Sequence, residues 1–211
     1  MGVPATTGVL RTKIADMQIG DYIACSYQAG LTFVIGVNGL TEFPLTGVAN
    51  GSANNYFYFI KVDKGLLMSD RVAVHTVTWD TLNTNKLIQG TPKTIDSIVG
   101  SLRSLTGGVA YVDANGNSST TDLGFGAFPT NNEWDKYIVK FPADKIQSGK
   151  TVDDVFHYTN SGTWTQDTPN LALAPSTQRV RTSTTGKIAF ALSSTTSGAY
   201  GFRPVFEYQE A

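Results

Sequence analysis

The acid–base groups of this chain are 17 carboxylates and two histidines, and few of them stand at spacings that chemistry uses. Asp113-Ala114-Asn115-Gly116-Asn117 puts oxygen donors at alternating positions, as the opening of a calcium loop does. The pattern breaks at Ser118, where such a loop needs glycine, and at Gly124, where it needs a bidentate glutamate. Asn115-Gly116 reads instead as a hairpin turn. His75 and His157 are too few for a His-rich metal site, and no Gly-x-Ser-x-Gly elbow supports a Ser–His–Asp triad. Glu133, Asp135, Asp153, Asp154 and Asp167 offer carboxylates enough for a glycosidase pair, yet turns, a helix cap and solvated charge account for them as well. The single cysteine, Cys25, excludes an intrachain disulfide and a cysteine-based metal cluster. Between Ala24 and Ser26 it reads as a buried, inert thiol. No catalytic residue, metal or cofactor is expected, and prolonged EDTA treatment should leave the melting temperature unchanged.

Binding chemistry has more support. Residues 155–206 hold one acid, Asp167, against Arg179, Arg181, Lys187 and Arg203, together with Phe156, Tyr158, Trp164, Tyr200 and Phe202. Aromatic faces beside hydrogen-bonding groups suit sugar rings, which have an apolar face and a polar rim. Two hydroxyl-rich segments, 182–186 and 193–198, supply Thr184, Thr185, Thr195 and Thr196, and Tyr200 follows the second. These five residues form the candidate ligand-binding set, although exposure alone also selects small polar loops. Trp164 and Phe202 read as core, and Arg203 as the partner of a carboxylate or carbonyl.

The elements that would position these groups are mostly strands. One helix stands out. Thr130 and Glu133 have capping-box spacing, and Trp134, Tyr137 and Ile138 then share one apolar face. Strands are expected at 22–27, 31–37 and 40–45, the last two joined as a hairpin by Asn38-Gly39. The run 56–60 is apolar on both faces, which implies burial on two sides or a subunit interface. Residues 71–79 alternate as a strand should, and 80–89 reads as a short helix capped by Asp80 and stopped by Gly90. Further strands are expected at 95–105, 109–112, 152–158, 163–166, 178–182, 187–192 and 199–208. The turn signal Gly90-Thr91-Pro92 divides a β-rich N-terminal part, 1–92, from a second part, 93–211.

Composition limits the partners. At 211 residues the chain can bury a sizeable core, and at 16% its charged fraction falls below the roughly 25% of ordinary soluble domains. A net charge of −1 gives no electrostatic case for nucleic acid. No apolar run reaches the ~18 residues of a membrane span, so membrane insertion is not expected.

Pro129-Thr130-Asn131-Asn132-Glu133-Trp134, then Trp164, Arg179-Val180-Arg181 and Gly201-Phe202-Arg203-Pro204-Val205 resemble the skeleton of C-type-lectin-like domains. The similar branch includes the formylglycine-generating type and the variable tip proteins of phages. The calcium-lectin and cysteine sites of those relatives are missing, so the likeness is to scaffold. More widely, Gly20-Asp21-Tyr22-Ile23, Phe57-Tyr58-Phe59-Ile60-Lys61, Asp70-Arg71-Val72, Trp79-Asp80 and Arg103-Ser104-Leu105-Thr106-Gly107-Gly108 resemble virion structural proteins of phages of Gram-positive bacteria. The resemblance implies an α+β, mainly β fold, with the β-rich N-terminal part followed by a C-type-lectin-like module carrying one main helix. It also implies a non-enzymatic virion protein, a tail-fibre or baseplate receptor-binding subunit that contacts a host surface glycan or other virion proteins. A head decoration or head-fibre role is the alternative, and a glycan-cleaving tail enzyme a third. A homo-oligomer, most simply a trimer, is expected from the 56–60 run and from the symmetry of such fibres.

Overall fold

The computed structural model describes residues 2–28, 32–44, 54–159, 161–182, 185 and 187–210. The chain is mostly β, with short helices. Its centre is a nine-stranded sheet. From one edge the order is Leu10–Arg11, Tyr22–Gln28, Asn55–Asp63, Leu66–Ser69, Val205–Tyr208, Ile98–Arg103 and Thr91–Ile95. Thr32–Ile35 also pairs with Tyr22–Gln28, and Thr41–Glu42 runs parallel to Asn55–Asp63. The sheet curls until Thr32–Ile35 approaches Thr91–Ile95. Successive side chains point to opposite faces, so the curl has an inside and an outside. Ile23, Cys25, Phe57, Phe59, Leu67, Leu102 and Phe206 fill the inside. Ile60, Val62, Leu66, Met68 and Val205 face out and are covered by Trp134, Ile138, Phe141, Val155 and Phe156.

Burial on both faces explains the continuous apolar run 56–60. Phe57 and Phe59 are enclosed in one core and Ile60 in the other, all within one subunit. The run therefore gives no argument for a subunit interface. Likewise, strands from both sides of residue 92 share this sheet: Val205–Tyr208 pairs with Leu66–Ser69 and with Ile98–Arg103. A division at 92 would cut it.

Several local expectations are corrected. Asn38 and Gly39 do adopt left-handed backbone, at φ 48° and 72°. The flanking segments, however, pair with Tyr22–Gln28 and Asn55–Asp63 and not with each other. Asn38 Nδ2 instead donates to Ser26 Oγ at 2.8 Å. The strand at 71–79 shrinks to Val74–His75, because Thr76 turns left-handed at φ 56°. Thr78, not Asp80, then caps the helix Trp79–Thr84, its hydroxyl accepting from Thr81 N–H at 2.9 Å. The expected strand 95–105 is the second arm of a hairpin whose two-residue turn is Asp96-Ser97. Residues 199–208 split at Arg203-Pro204, so that Tyr200–Phe202 pairs with Gly162–Thr163 and Val74–His75 outside the main sheet.

The helix caps are exchanged. Trp134–Val139 is a π-helix, and Thr130 makes no capping contact with it. Asn132 does this work: its Oδ1 accepts from Asp135 N–H at 2.9 Å. Glu133 has left the box, because Arg103 grips its carboxylate at 2.6 and 2.7 Å. A complete capping box occurs instead at Thr151 and Asp154, heading the helix Val152–Phe156 where a strand was expected. Accordingly, Thr130→Ala should change stability by no more than about 0.5 kcal/mol. Asn132→Ala should cost about 0.5–2 kcal/mol in urea unfolding, as other cap losses do.

Candidate recognition site

Five segments meet around a cleft of about 270 Å³. Gly124, Phe125 and Gly126 form one wall, and Val139 and Lys140 at the end of the π-helix form another. Tyr111 and Tyr158 line the cleft, and Thr185, Lys187 and Ile188 close it. The wall is fixed from below. Asp135 Oδ2 accepts from Ala127 N–H at 2.7 Å and from Asn132 Nδ2 at 3.0 Å. A Cβ on Gly126 would come within 2.6 Å of that same oxygen, at a backbone φ of 97°, so the position requires glycine. In the π-helix Lys140 N–H reaches back five residues to Asp135 O at 3.0 Å. Such wide turns recur at functional sites. Here the turn leaves Val139 exposed beside Phe125, and Leu123 is exposed on the same loop. Across the cleft Lys187 Nζ lies 2.9 Å from Asp122 Oδ2. The lysine holds the Asp122 carboxyl below its ordinary range, and the carboxylate raises Lys187 in turn. The site thus offers exposed apolar and aromatic surface beside a solvated ion pair and a threonine.

Of the expected ligand-binding set, only Thr185 lines this cleft. Thr184 lies outside the described residues. Thr195 is half-buried and Thr196 exposed, but on a different part of the molecule. Strands Gln178–Thr182 and Ile188–Leu192 form a hairpin in which Thr182 faces Ile188 and Gln178 faces Leu192. The strand ends Thr182/Ile188 and Gln178/Leu192 therefore lie about 13 Å apart at a strand's rise per residue, and segment 193–198 leaves from the second of them. Tyr200 is corrected as well. It is buried, packed edge-on against Trp164 at 5.0 Å and covered by the Arg181 guanidinium. Its substitution is expected to destabilise the fold.

Trp134, Trp164 and Phe202 are buried, whereas Tyr137 is half-buried with its hydroxyl on Asp63. Arg203 is fully enclosed and donates to the carbonyls of Ser69 and Phe156 at 2.7 and 2.9 Å. Burial lowers its pKa to about 10. Asp113 organises a hairpin turn by accepting from Asn115 and Asn117 N–H at 2.9 and 2.8 Å. Among the described residues, no group of three or more His, Cys, Asp or Glu side chains could hold a metal ion. The candidate carboxylates are engaged separately: Asp153 with Thr159 N–H, Asp154 with Thr151, and Asp167 with Gly107 N–H.

Burial lowers the pKa of both histidines. His75 Nδ1 meets Gly198 O at 3.1 Å, and His157 Nε2 lies 3.8 Å from Asp70 Oδ2. A folded pKa below the unfolded value means that the unfolded chain takes up protons first. Their contribution is therefore complete above the ordinary value of 6.5 and is lost as pH falls through the folded values. Thermal unfolding followed between about pH 7.5 and pH 5 should show falling stability, by at most about 1.4 kcal/mol per pH unit for each histidine. Removing His157 should flatten the curve. Asp167 works in the opposite sense, since burial raises its pKa.

Comparison with family models, with curated proteins and with solved structures gives no match. Among the described residues, no helix is long and apolar enough to cross a membrane.

Proposed function

We propose that this chain is a non-enzymatic phage virion protein that works by surface recognition. In this reading it is a tail-fibre or baseplate subunit contacting a host surface glycan or another virion protein. The motif resemblance to C-type-lectin-like and virion structural proteins supplies the class. The observation that carries it on this molecule is the cleft beside Phe125, where aromatic and apolar side chains adjoin Asp122, Thr185 and Lys187. Glycan sites combine such surfaces, and loops on a rigid scaffold vary without unfolding it.

The exposed apolar trio Leu123, Phe125 and Val139 also favours a second, purely structural reading. In that reading a head decoration or fibre protein packs the same surface against a virion neighbour. Assembly as a homo-oligomer, a trimer in this proposal, rests on the resemblance alone. The test is attachment of purified protein to host cell walls, with Phe125→Ala and Lys187→Ala as variants. Attachment lost in the variants with unchanged melting supports host recognition. Attachment that survives both substitutions rules the cleft out. A particle image with this surface covered by a neighbour selects the structural role, and release of reducing sugar selects a tail enzyme.

A further inference from the structure

The hairpin Gln178–Thr182/Ile188–Leu192 has two unlike faces. Val180 and Ile188 pack with Ala127, and Tyr111 and Phe190 lie against them. Arg179 and Arg181 project from the opposite face, two residues apart and so on one side of the strand. Their cross-strand neighbours are Ala191 and Ala189, too small to cover them. The Arg179 guanidinium lies 4.5 Å over the ring of Trp79, and that of Arg181 lies 4.6 Å over Tyr200. Both arginines are half-buried. In each, Nη1 is committed to backbone carbonyls: Ser176 O and Gln178 O for Arg179, Thr182 O for Arg181.

Among the described residues, neither cation has an anionic partner. Both Nε atoms are buried without an acceptor among the described residues, so stacking and not a carboxylate fixes each guanidinium plane. Neither Nη2 is enclosed in this way, and neither is bonded to a described residue. The nearby Asp80 carboxylate accepts from Ser193 Oγ instead. Two oriented, half-desolvated guanidinium ends separated by about 7 Å of strand are suited to oxyanions. The hydroxyl-rich loop begins alongside, with Ser193 N–H on Thr177 O and Asp80 N–H on Ser193 O. Ser194 and Thr196 are exposed on this loop, which leaves the hairpin at the Gln178/Leu192 end, one residue beyond Arg179.

We propose that Arg179 and Arg181 form an oxyanion-binding site for an acidic polysaccharide, with the 193–198 hydroxyls meeting its sugar hydroxyls. This goes beyond the cleft reading and does not depend on it, because the site lies on the other face of the hairpin. The test is binding of the purified chain to polygalacturonate, with neutral dextran and inorganic polyphosphate as comparison polymers. Polygalacturonate should bind, dextran should not, and raising the salt should weaken binding. Arg179→Gln and Arg181→Gln should each weaken it by about tenfold or more, the loss expected for a hydrogen bond to a charged group. Phe125→Ala should leave it unchanged, so the cleft and the arginine site fail or stand separately. Arg181 supports Tyr200, so if Arg181→Gln lowers the melting temperature, Arg179→Gln and Arg179→Lys carry the test. The lysine variant keeps the charge but loses the planar fork, and should bind at an intermediate level. Equal binding of dextran, unchanged binding in the Arg179 variants, or binding of polyphosphate alone overturns the proposal.

Discussion

Trp134→Ala should lower unfolding stability by about 3–5 kcal/mol, the range for other core tryptophan truncations. Trp134 is 1% exposed and belongs to the core on the outer face of the curled sheet. Ile138, Phe141, Phe156 and Val205 share that core, and Tyr158 meets the indole edge-on at 5.8 Å. The enclosed Arg203 guanidinium lies 6.0 Å from the ring centroid. Truncation therefore opens a cavity next to a buried cation, and the rigid sheet below limits any collapse into it. Trp134→Phe keeps much of the volume and should cost less. Equal urea midpoints for Trp134→Ala and the parent would show that this core does not hold the helix.

Arg71→Met should be comparably damaging, at about 3–5 kcal/mol, because it strands buried charge. Arg71 is 1% exposed and joins three separate segments. It donates to Asp70 Oδ2 at 2.6 Å and to the carbonyls of Phe43 at 2.7 Å and Gly2 at 3.1 Å. Its Nη2 also lies 2.7 Å from Glu42 Oε1. Asp70 in turn accepts from Tyr58 N–H at 2.9 Å, inside the sheet. Without the arginine, two carboxylates remain beside each other in a site that excludes water. Burying an unpaired charge costs far more than losing a surface ion pair. The control is the triple variant Glu42→Gln, Asp70→Asn, Arg71→Met. If stranded charge is the cause, it should recover much of the loss in chemical unfolding. If the triple variant is no better than Arg71→Met, the loss lies in packing around the side chain.

Period and turn chemistry made much of the local structure legible. Gln178–Thr182 is the strand expected at that position, and Asn115-Gly116 closes the turn that its residue types favour. The apolar face at Trp134 and Ile138 is buried. Patterns that recur were harder to assign. Thr130-x-x-Glu133 and Thr151-x-x-Asp154 carry the same capping signal, yet only the second forms the box. The difference is tertiary: Arg103, distant in sequence, binds Glu133 more strongly than a single backbone amide can. Residues 199–208 read as one strand because alternation says nothing about which sheet each half joins.

By itself, the sequence determined a mainly β chain with little surface charge, its principal turns and the residues able to fill a core. Those properties follow from local sterics and from the need to remove apolar side chains from water. Only the tertiary structure decided which surfaces remain for function. Curling the sheet drew the 56–60 run inside one subunit, and seating the final hairpin buried Tyr200 beneath Arg181. The same packing assembled the Phe125 cleft from five separated segments and left Arg179 and Arg181 stacked on aromatic rings with no anionic partner among the described residues. Pairing partners distant along the chain fix these outcomes, and no local periodicity encodes them.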